Sequence, residues 1–293
     1  MTSTSRVMAV TGANKGIGFE VARRLLVDNP DATVLVAARS EERGKAAVQK
    51  LDTPRARFIS LDMADAASIT AFAARVAADY GRLDVLVANA GMLGMDVADT
   101  RASIAVNYTG NVRLARAVAP LLAPGSRFVF VSSRLGSLAA LPGAALRATL
   151  TAPDLTVDAL SRVMDAAADA ADAGGAPALA AAGWDPNPYA VSKVGLTTLV
   201  RLLGRDEDRP GVWYHAVCPG LTDTGGNADA IAGLPGIVPL AQGADGVVWA
   251  TRLGAEGGVN GAFWAEGRRV DYADQADMDG WKANVPAPEL VTA

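Results

Sequence analysis

The chain has 293 residues, a formal net charge of −4, and 51% hydrophobic and 20% charged residues. That composition suits a globular chain with a sizeable core, and no Lys/Arg block is long enough for a nucleic-acid arm or a membrane patch. One cysteine, Cys218, and one histidine, His215, exclude an intramolecular disulfide and a Cys-based zinc site, and any His-based centre would have to be built on that one imidazole.

Residues 1–6 are polar and carry no secretory pattern, and no uncharged apolar run approaches the length of a bilayer span, so a cytoplasmic protein is expected. Residues 7–10 read as a strand. It runs into Thr11-Gly12-Ala13-Asn14-Lys15-Gly16-Ile17-Gly18 and then a helical pattern through Phe19, Val21, Ala22, Leu25 and Leu26. Strand, glycine-rich turn and helix is the context of a dinucleotide site. Gly12 allows the tight turn, Gly16 the backbone's approach to a pyrophosphate, and Gly18 close helix packing. The helix N-terminus offers free N–H groups to the phosphates.

Residues 33–37 form the second predicted strand. An NAD site places a carboxylate near its end for the ribose 2′-hydroxyl. Here Ala38-Arg39 follows, with Arg43 four residues on and Lys15 in the first loop. Three cations suit a 2′-phosphate, which favours NADP; the plainer reading leaves Arg39 and Arg43 as surface decoration of the next helix. Residues 57–61 form a third strand ending in Asp62-Met63. The Asp62 carboxylate either accepts from an adenine amino group or caps the helix expected over 65–79.

Residues 83–88 form a fourth strand running into Asn89-Ala90-Gly91, and a helix over about 100–122 contains Asn107. A fifth strand, 126–131, ends in Ser132-Ser133. Strands alternating with helices predict an α/β fold with a doubly wound parallel sheet, in which ligands bind at the C-terminal strand ends. The glycine turn, Arg39, Asp62, Asn89–Gly91 and Ser133 all fall on that edge.

Residues 135–183 change character. They are Ala-rich, broken by Pro142, Pro153 and Pro177, with helical spacing over 156–171 behind a Thr156 cap. The stretch reads as a core-covering insertion that also walls a substrate pocket. A helix over 187–203 bears Tyr189 and Lys193. A sixth strand, 212–217, ends at Cys218-Pro219-Gly220, followed by a small-residue loop over 221–235, a helix over 239–253 and a last strand over 260–264. Residues 275–293 show little periodicity and read as irregular. No linker or repeat divides the chain, so 1–293 is one expected domain.

Tyr189 and Lys193 lie one helical turn apart on one face. A phenol is a poor acid at neutral pH, and a nearby ammonium favours the phenolate. Such a pair suits general acid catalysis. His215 reads as a partly buried strand residue, and Cys218 as a small buried one rather than a reactive thiol.

Taken together these residues resemble the short-chain dehydrogenase/reductase family. The likeness rests on TGANKGIG at 11–18, NAG at 89–91, Asn107, Ser133, Tyr189 with Lys193, and Pro219-Gly220 followed by Thr224. The long gap of 56 residues between Ser133 and Tyr189, the opening run TGANKGIGFEVARRL and the Ala38-to-Gly44 run are closest to the carbonyl reductase branch. The resemblance implies an NADP(H)-dependent reduction of a ketone, aldehyde or quinone. Tyr189 would donate the proton, Ser133 would position the carbonyl oxygen, and Lys193 would bond the nicotinamide ribose and lower the Tyr189 pKa. Asn107 would hold a water that passes protons to Lys193. The implied cofactor residues are Gly12, Asn14, Lys15, Gly16, Ile17, Gly18, Arg39, Arg43, Asp62, Met63, Asn89, Ala90, Gly91, Tyr189, Lys193 and the loop Pro219, Gly220, Leu221, Thr222 and Thr224.

In that branch the insertion covers the helices through which other members form tetramers, which implies a monomer with a small-molecule carbonyl substrate and no nucleic-acid or membrane partner. Two departures are Ala88, where an Asn often precedes NAG, and Asp223, where related reductases often carry a basic residue. An apolar pocket lined by Met92, Leu93, Trp184, Leu221 and part of the insertion is expected. The rivals are an NADP-linked alcohol dehydrogenase or ketoreductase of a biosynthetic pathway, which uses the same site in reverse, and a non-catalytic NADP(H)-binding sensor, which commonly lacks the Tyr or the Lys.

Overall fold

The computed structural model describes residues 5–206, 210–224, 236–254, 259–274, 276, 278 and 279. In chain order, β1 (Val7–Thr11), α1 (Gly16–Asp28), β2 (Thr33–Ala38), α2 (Glu41–Leu51), β3 (Ala56–Ser60), α3 (Ala66–Tyr80) and β4 (Leu83–Ala88) come first. α4 (Thr100–Ile104) then passes through a π-helical turn (Ala105–Thr109) into α5 (Gly110–Val118) and β5 (Leu122–Val131). The inserted stretch forms α6 (Ala144–Thr151) and α7 (Val157–Ala181) before α8 (Pro188–Asp206), β6 (Trp213–Cys218), β7 (Leu221–Thr222), β8 (Ile237–Val238), α9 (Leu240–Ala250), β9 (Ala262–Ala265) and β10 (Arg268–Val270).

The main sheet runs β3-β2-β1-β4-β5-β6-β9-β10, parallel until β10 turns back antiparallel on β9. The strand order reverses between β1 and β4, which opens a crevice beyond their C-terminal ends. β1 and β4 are buried along their whole length, as strands covered on both faces must be. Alternate residues feed two cores. Met8, Val10, Val34, Val36, Val85 and Val87 pack against α1 and α9, whereas Ala9, Leu35, Leu86, Phe128 and Phe130 face α3, α5, α7 and α8.

The π-helical turn was not visible in the periodicity, nor were β10 and the short β7–β8 sheet. Asp62 is not the cap of α3. That role falls to Asp65, whose carboxylate accepts the Ala67 N–H at 2.9 Å, while Asp62 accepts from Ala64 in the turn before it. Thr156 caps α7 as expected, accepting from Ala159 at 3.1 Å. The helical stretch runs past the expected end to Ala181 as two segments that meet at Gly175, whose φ is +60°. Pro177 then falls in the first turn of the second segment, where no amide hydrogen is required. Residues 225–235 of the small-residue loop and most of 275–293 lie outside the described residues.

Candidate active site

Four strand ends and two helices meet at the crevice. β1 and β4 are tied there by Thr11. Its hydroxyl accepts the N–H groups of Asn89 and Ala90 at 3.0 and 2.9 Å, and its carbonyl accepts the Asn89 amide at 2.9 Å. Asn89 therefore ties the two central strands to one another. Gly12 has φ +66°, and a Cβ on it would stand 2.9 Å from the Ala90 Cα, so only glycine fits this turn.

β5 delivers Ser133 and α8 delivers Tyr189 and Lys193. The Ser133 hydroxyl stands near enough to the Tyr189 phenol to favour its ionised form. The Lys193 ammonium, 4% exposed, donates to the Val131 carbonyl at 2.7 Å and lies 5.4 Å from the Tyr189 ring centre. Asn107 sits in the π-helical turn and is fully buried. Its amide clamps both backbone groups of Met92 at 2.9 Å and donates to Ser192 at 2.9 Å, and Ser192 in turn donates to the Tyr189 carbonyl at 2.7 Å. A side chain on Gly91 would meet Asn107 Oδ1 at 3.0 Å and Lys193 Nζ at 3.8 Å, so the glycine keeps the floor between them open.

A profile of the short chain dehydrogenase family matches residues 6–153. Carbonyl reductase (NADPH) 1 of Mus musculus is 36% identical over 238 residues, 76% of this chain and 84% of the relative. The chain belongs to the short-chain dehydrogenase/reductase family. Among solved structures, salutaridine reductase from Papaver somniferum superposes with a TM-score of 0.76 at 25% identity, over 88% of this chain and 99% of that one. Menthone neomenthol reductase from Mentha piperita gives 0.75 at 26% identity, over 91% and 100%.

Electrostatics in this short-chain dehydrogenase depart from one expectation. Burial pushes the Tyr189 phenol well above its ordinary value; the Cys218 sulfur beside it adds to the rise and the Ser133 hydroxyl opposes it. The expected lowering by Lys193 does not govern. The ammonium lies over the ring and is turned to Val131, and burial brings its own pKa down to about 8. Burial also raises the Cys218 thiol, consistent with an unreactive core residue.

The residues present fit a phosphorylated dinucleotide. Lys193 has three N–H donors and one acceptor among the described residues, which leaves donors for sugar hydroxyls. Lys15, Arg39 and Arg43 are exposed at the ends of β1 and β2, and no carboxylate pairs with them among the described residues. Glu41, next to them, is engaged by Lys45 at 2.6 Å. Met63 is 3% exposed, so only its backbone is available to a cofactor. Thr222 is likewise buried, its hydroxyl turned back to the Pro219 and Gly220 carbonyls at 3.2 and 3.3 Å. Among the described residues no cluster of His, Cys, Asp or Glu is arranged to hold a metal, and no helix is long and apolar enough to cross a membrane.

The expected pocket is partly corrected. Trp184 is 2% exposed and packs in the core between the insertion and α8, so it does not wall a cleft. Its place beside Tyr189 in sequence is lost because α8 starts only at Pro188 and the chain turns inward before it. Met92, Leu93 and Leu221 keep exposed or half-exposed side chains. Asn107 has its side chain engaged by protein groups, and its carbonyl accepts from Asn111 at 2.9 Å. Sequence reasoning missed Arg134, which directly follows Ser133 and is 2% exposed. A charged residue beside the candidate serine was the available signal, but its partner, Glu266, lies 132 residues away in sequence, in the turn after β9.

Proposed function

We propose that the chain is an NADPH-dependent carbonyl reductase that converts a ketone, aldehyde or quinone into the alcohol or hydroquinone. The observation that carries this is the assembled group of Ser133 beside Tyr189 with Lys193 one turn along α8. NADPH supplies the hydride when bound. Lys15, Arg39 and Arg43 hold its 2′-phosphate, the glycine turn at the start of α1 holds the pyrophosphate, and Lys193 holds the nicotinamide ribose. Ser133 and Tyr189 bond the substrate oxygen from one side and fix its orientation. As negative charge develops there, Tyr189 donates its proton. The high phenol pKa keeps the hydroxyl protonated in the resting enzyme, which is the form an acid requires. The mouse relative, named an NADPH carbonyl reductase, supports the same reading. Leu93 and Met95, 46% and 66% exposed on the loop after β4, give the mouth an apolar rim suited to an apolar carbonyl compound. The protein works as a monomer in the cytoplasm.

The test is oxidation of NADPH and NADH by the purified protein against quinones, aromatic ketones and aliphatic ketones. Turnover with NADPH is expected, with Tyr189→Phe lowering kcat about 100-fold or more. An unchanged rate in Tyr189→Phe would remove the assigned acid, and preference for NADH would remove the assigned phosphate site.

A further inference from the structure

Ser133 lies two residues past the end of β5 and caps a single 3-10 turn, Arg134–Gly136, its own hydroxyl accepting the Leu135 N–H at 3.2 Å. The direction of that hydroxyl therefore depends on what holds the turn. At one end Gly136 is pressed onto α8. A Cβ there would stand 2.6 Å from Thr197 Oγ1 and 2.7 Å from the Lys193 carbonyl, so the turn rests directly on the helix that carries Lys193. At the other end Arg134 reaches the turn between β9 and β10. Its guanidinium, 2% exposed, lies 2.6 Å from one oxygen of Glu266 and 3.4 Å from the other. Its backbone lies near the Cys218 sulfur at the end of β6 and favours the ionised thiol.

Glu266 occupies the turn between β9 and β10, where both linking residues have positive φ, 51° at Glu266 and 72° at Gly267. Turns of that kind favour Asn, Asp or Gly, and a glutamate there bears backbone strain. A strained glutamate, 52% exposed yet aimed at a buried arginine, points to a side-chain role rather than a turn-forming one. Arg268 stands 3.7 Å from the same Glu266 oxygen and steadies it from the solvent side.

We propose that the Arg134–Glu266 ion pair is a clamp that positions Ser133 against Tyr189, so that the β9–β10 hairpin belongs to the catalytic framework. Both are positioning residues: neither touches the reacting atoms. This inference rests on the roles given above to Ser133 and Tyr189.

The test uses Glu266→Gln, a near-isosteric change at a half-exposed site, with Glu266→Asp as the conservative variant. Steady-state rates at saturating NADPH, NADPH affinity by fluorescence and melting temperature are compared with wild type. In Glu266→Gln, kcat falls about tenfold with NADPH affinity unchanged, and Glu266→Asp recovers much of the loss. The pH profile gives a separate readout. The Ser133 hydroxyl lowers the Tyr189 pKa, so turning it away moves the basic limb of kcat for reduction to higher pH. In a Ser133→Ala background, Glu266→Gln adds no further loss of kcat. A lower melting temperature with kcat and the limb unchanged overturns the proposal in favour of a purely structural pair. Equal losses with and without Ser133, or a parallel loss of NADPH affinity, also overturn it. A wild-type protein that reduces no carbonyl compound overturns the functional reading itself and the clamp with it, an outcome distinct from an active wild type whose variants do not respond.

Discussion

Arg39 stands where a carboxylate would select a free ribose, and its charge is balanced by no acid among the described residues. A hydrogen bond from a charged donor to a phosphate contributes about 1.5–3 kcal/mol. Exposure of the guanidinium places Arg39 at the lower end of that range. Arg39→Ala is therefore expected to raise the KM for NADPH about tenfold while leaving the KM for NADH and both kcat values near wild type. Steady-state kinetics with the two cofactors decide it. A parallel rise for NADH would mean that Arg39 holds something other than the 2′-phosphate. Tyr189, half-buried, and Lys193, buried and bonded to Val131, are the opposite kind of residue, and there the environment matters more than the spacing. Four residues of separation put them on one face, but the burial that raises one pKa and lowers the other comes from the packed elements around α8.

At the scale of elements, what was legible in the sequence was what is local. The glycine turn, the Thr156 cap and the Tyr189–Lys193 face each depend on residues a few positions apart, and periodicity reports them. The β9–β10 hairpin, the π-helical turn around Asn107 and the Arg134–Glu266 pair depend on contacts between distant segments, so no local pattern announces them. The insertion lies between these cases. Its helical spacing was visible, but not where α7 would pack. In the structure α7 crosses α4 and α8. Tyr108 in the π-helical turn bonds Ser161 at 2.9 Å, and Gly195 on α8 leaves room for the Met164 side chain, whose terminal atoms lie 2.7 Å from where a Cβ would be. Arg101 adds ion pairs to Asp169 and Asp172 at 2.7 and 2.5 Å across the exposed rim. With α7 seated, the faces of α4 and α8 beneath it are buried and offer nothing to a second copy. Light scattering is expected to give a molar mass near the 30.0 kDa of one chain. A stable dimer or tetramer would mean that another surface associates.

For the whole molecule, the sheet carries its one histidine at the centre. His215 lies on β6 between β5 and β9 with no exposed surface, flanked by Trp213 and Trp264 at ring distances of 6.4 and 6.0 Å. The Trp264 indole N–H donates to its Nδ1 at 3.2 Å, which requires that nitrogen to be unprotonated. Burial, with a smaller contribution from the Arg127 charge, brings its pKa down from 6.5 to about 4. Between those two values the unfolded chain binds a proton at this site that the folded chain does not. Stability therefore falls as pH drops through that window, and the whole penalty is in place below about pH 4. At roughly 1.4 kcal/mol per pKa unit, the loss between pH 7 and pH 4 attributable to this residue is about 3 kcal/mol. His215→Gln keeps an acceptor for Trp264 and removes the titration. Urea unfolding at pH 7 and at pH 4.5 is expected to show a smaller acid-induced loss in the variant than in wild type, even though the variant starts from a lower stability at pH 7. Parallel losses in the two proteins would mean that acid acts through the carboxylates instead and that the buried imidazole is not the group that sets the acid limit of this sheet.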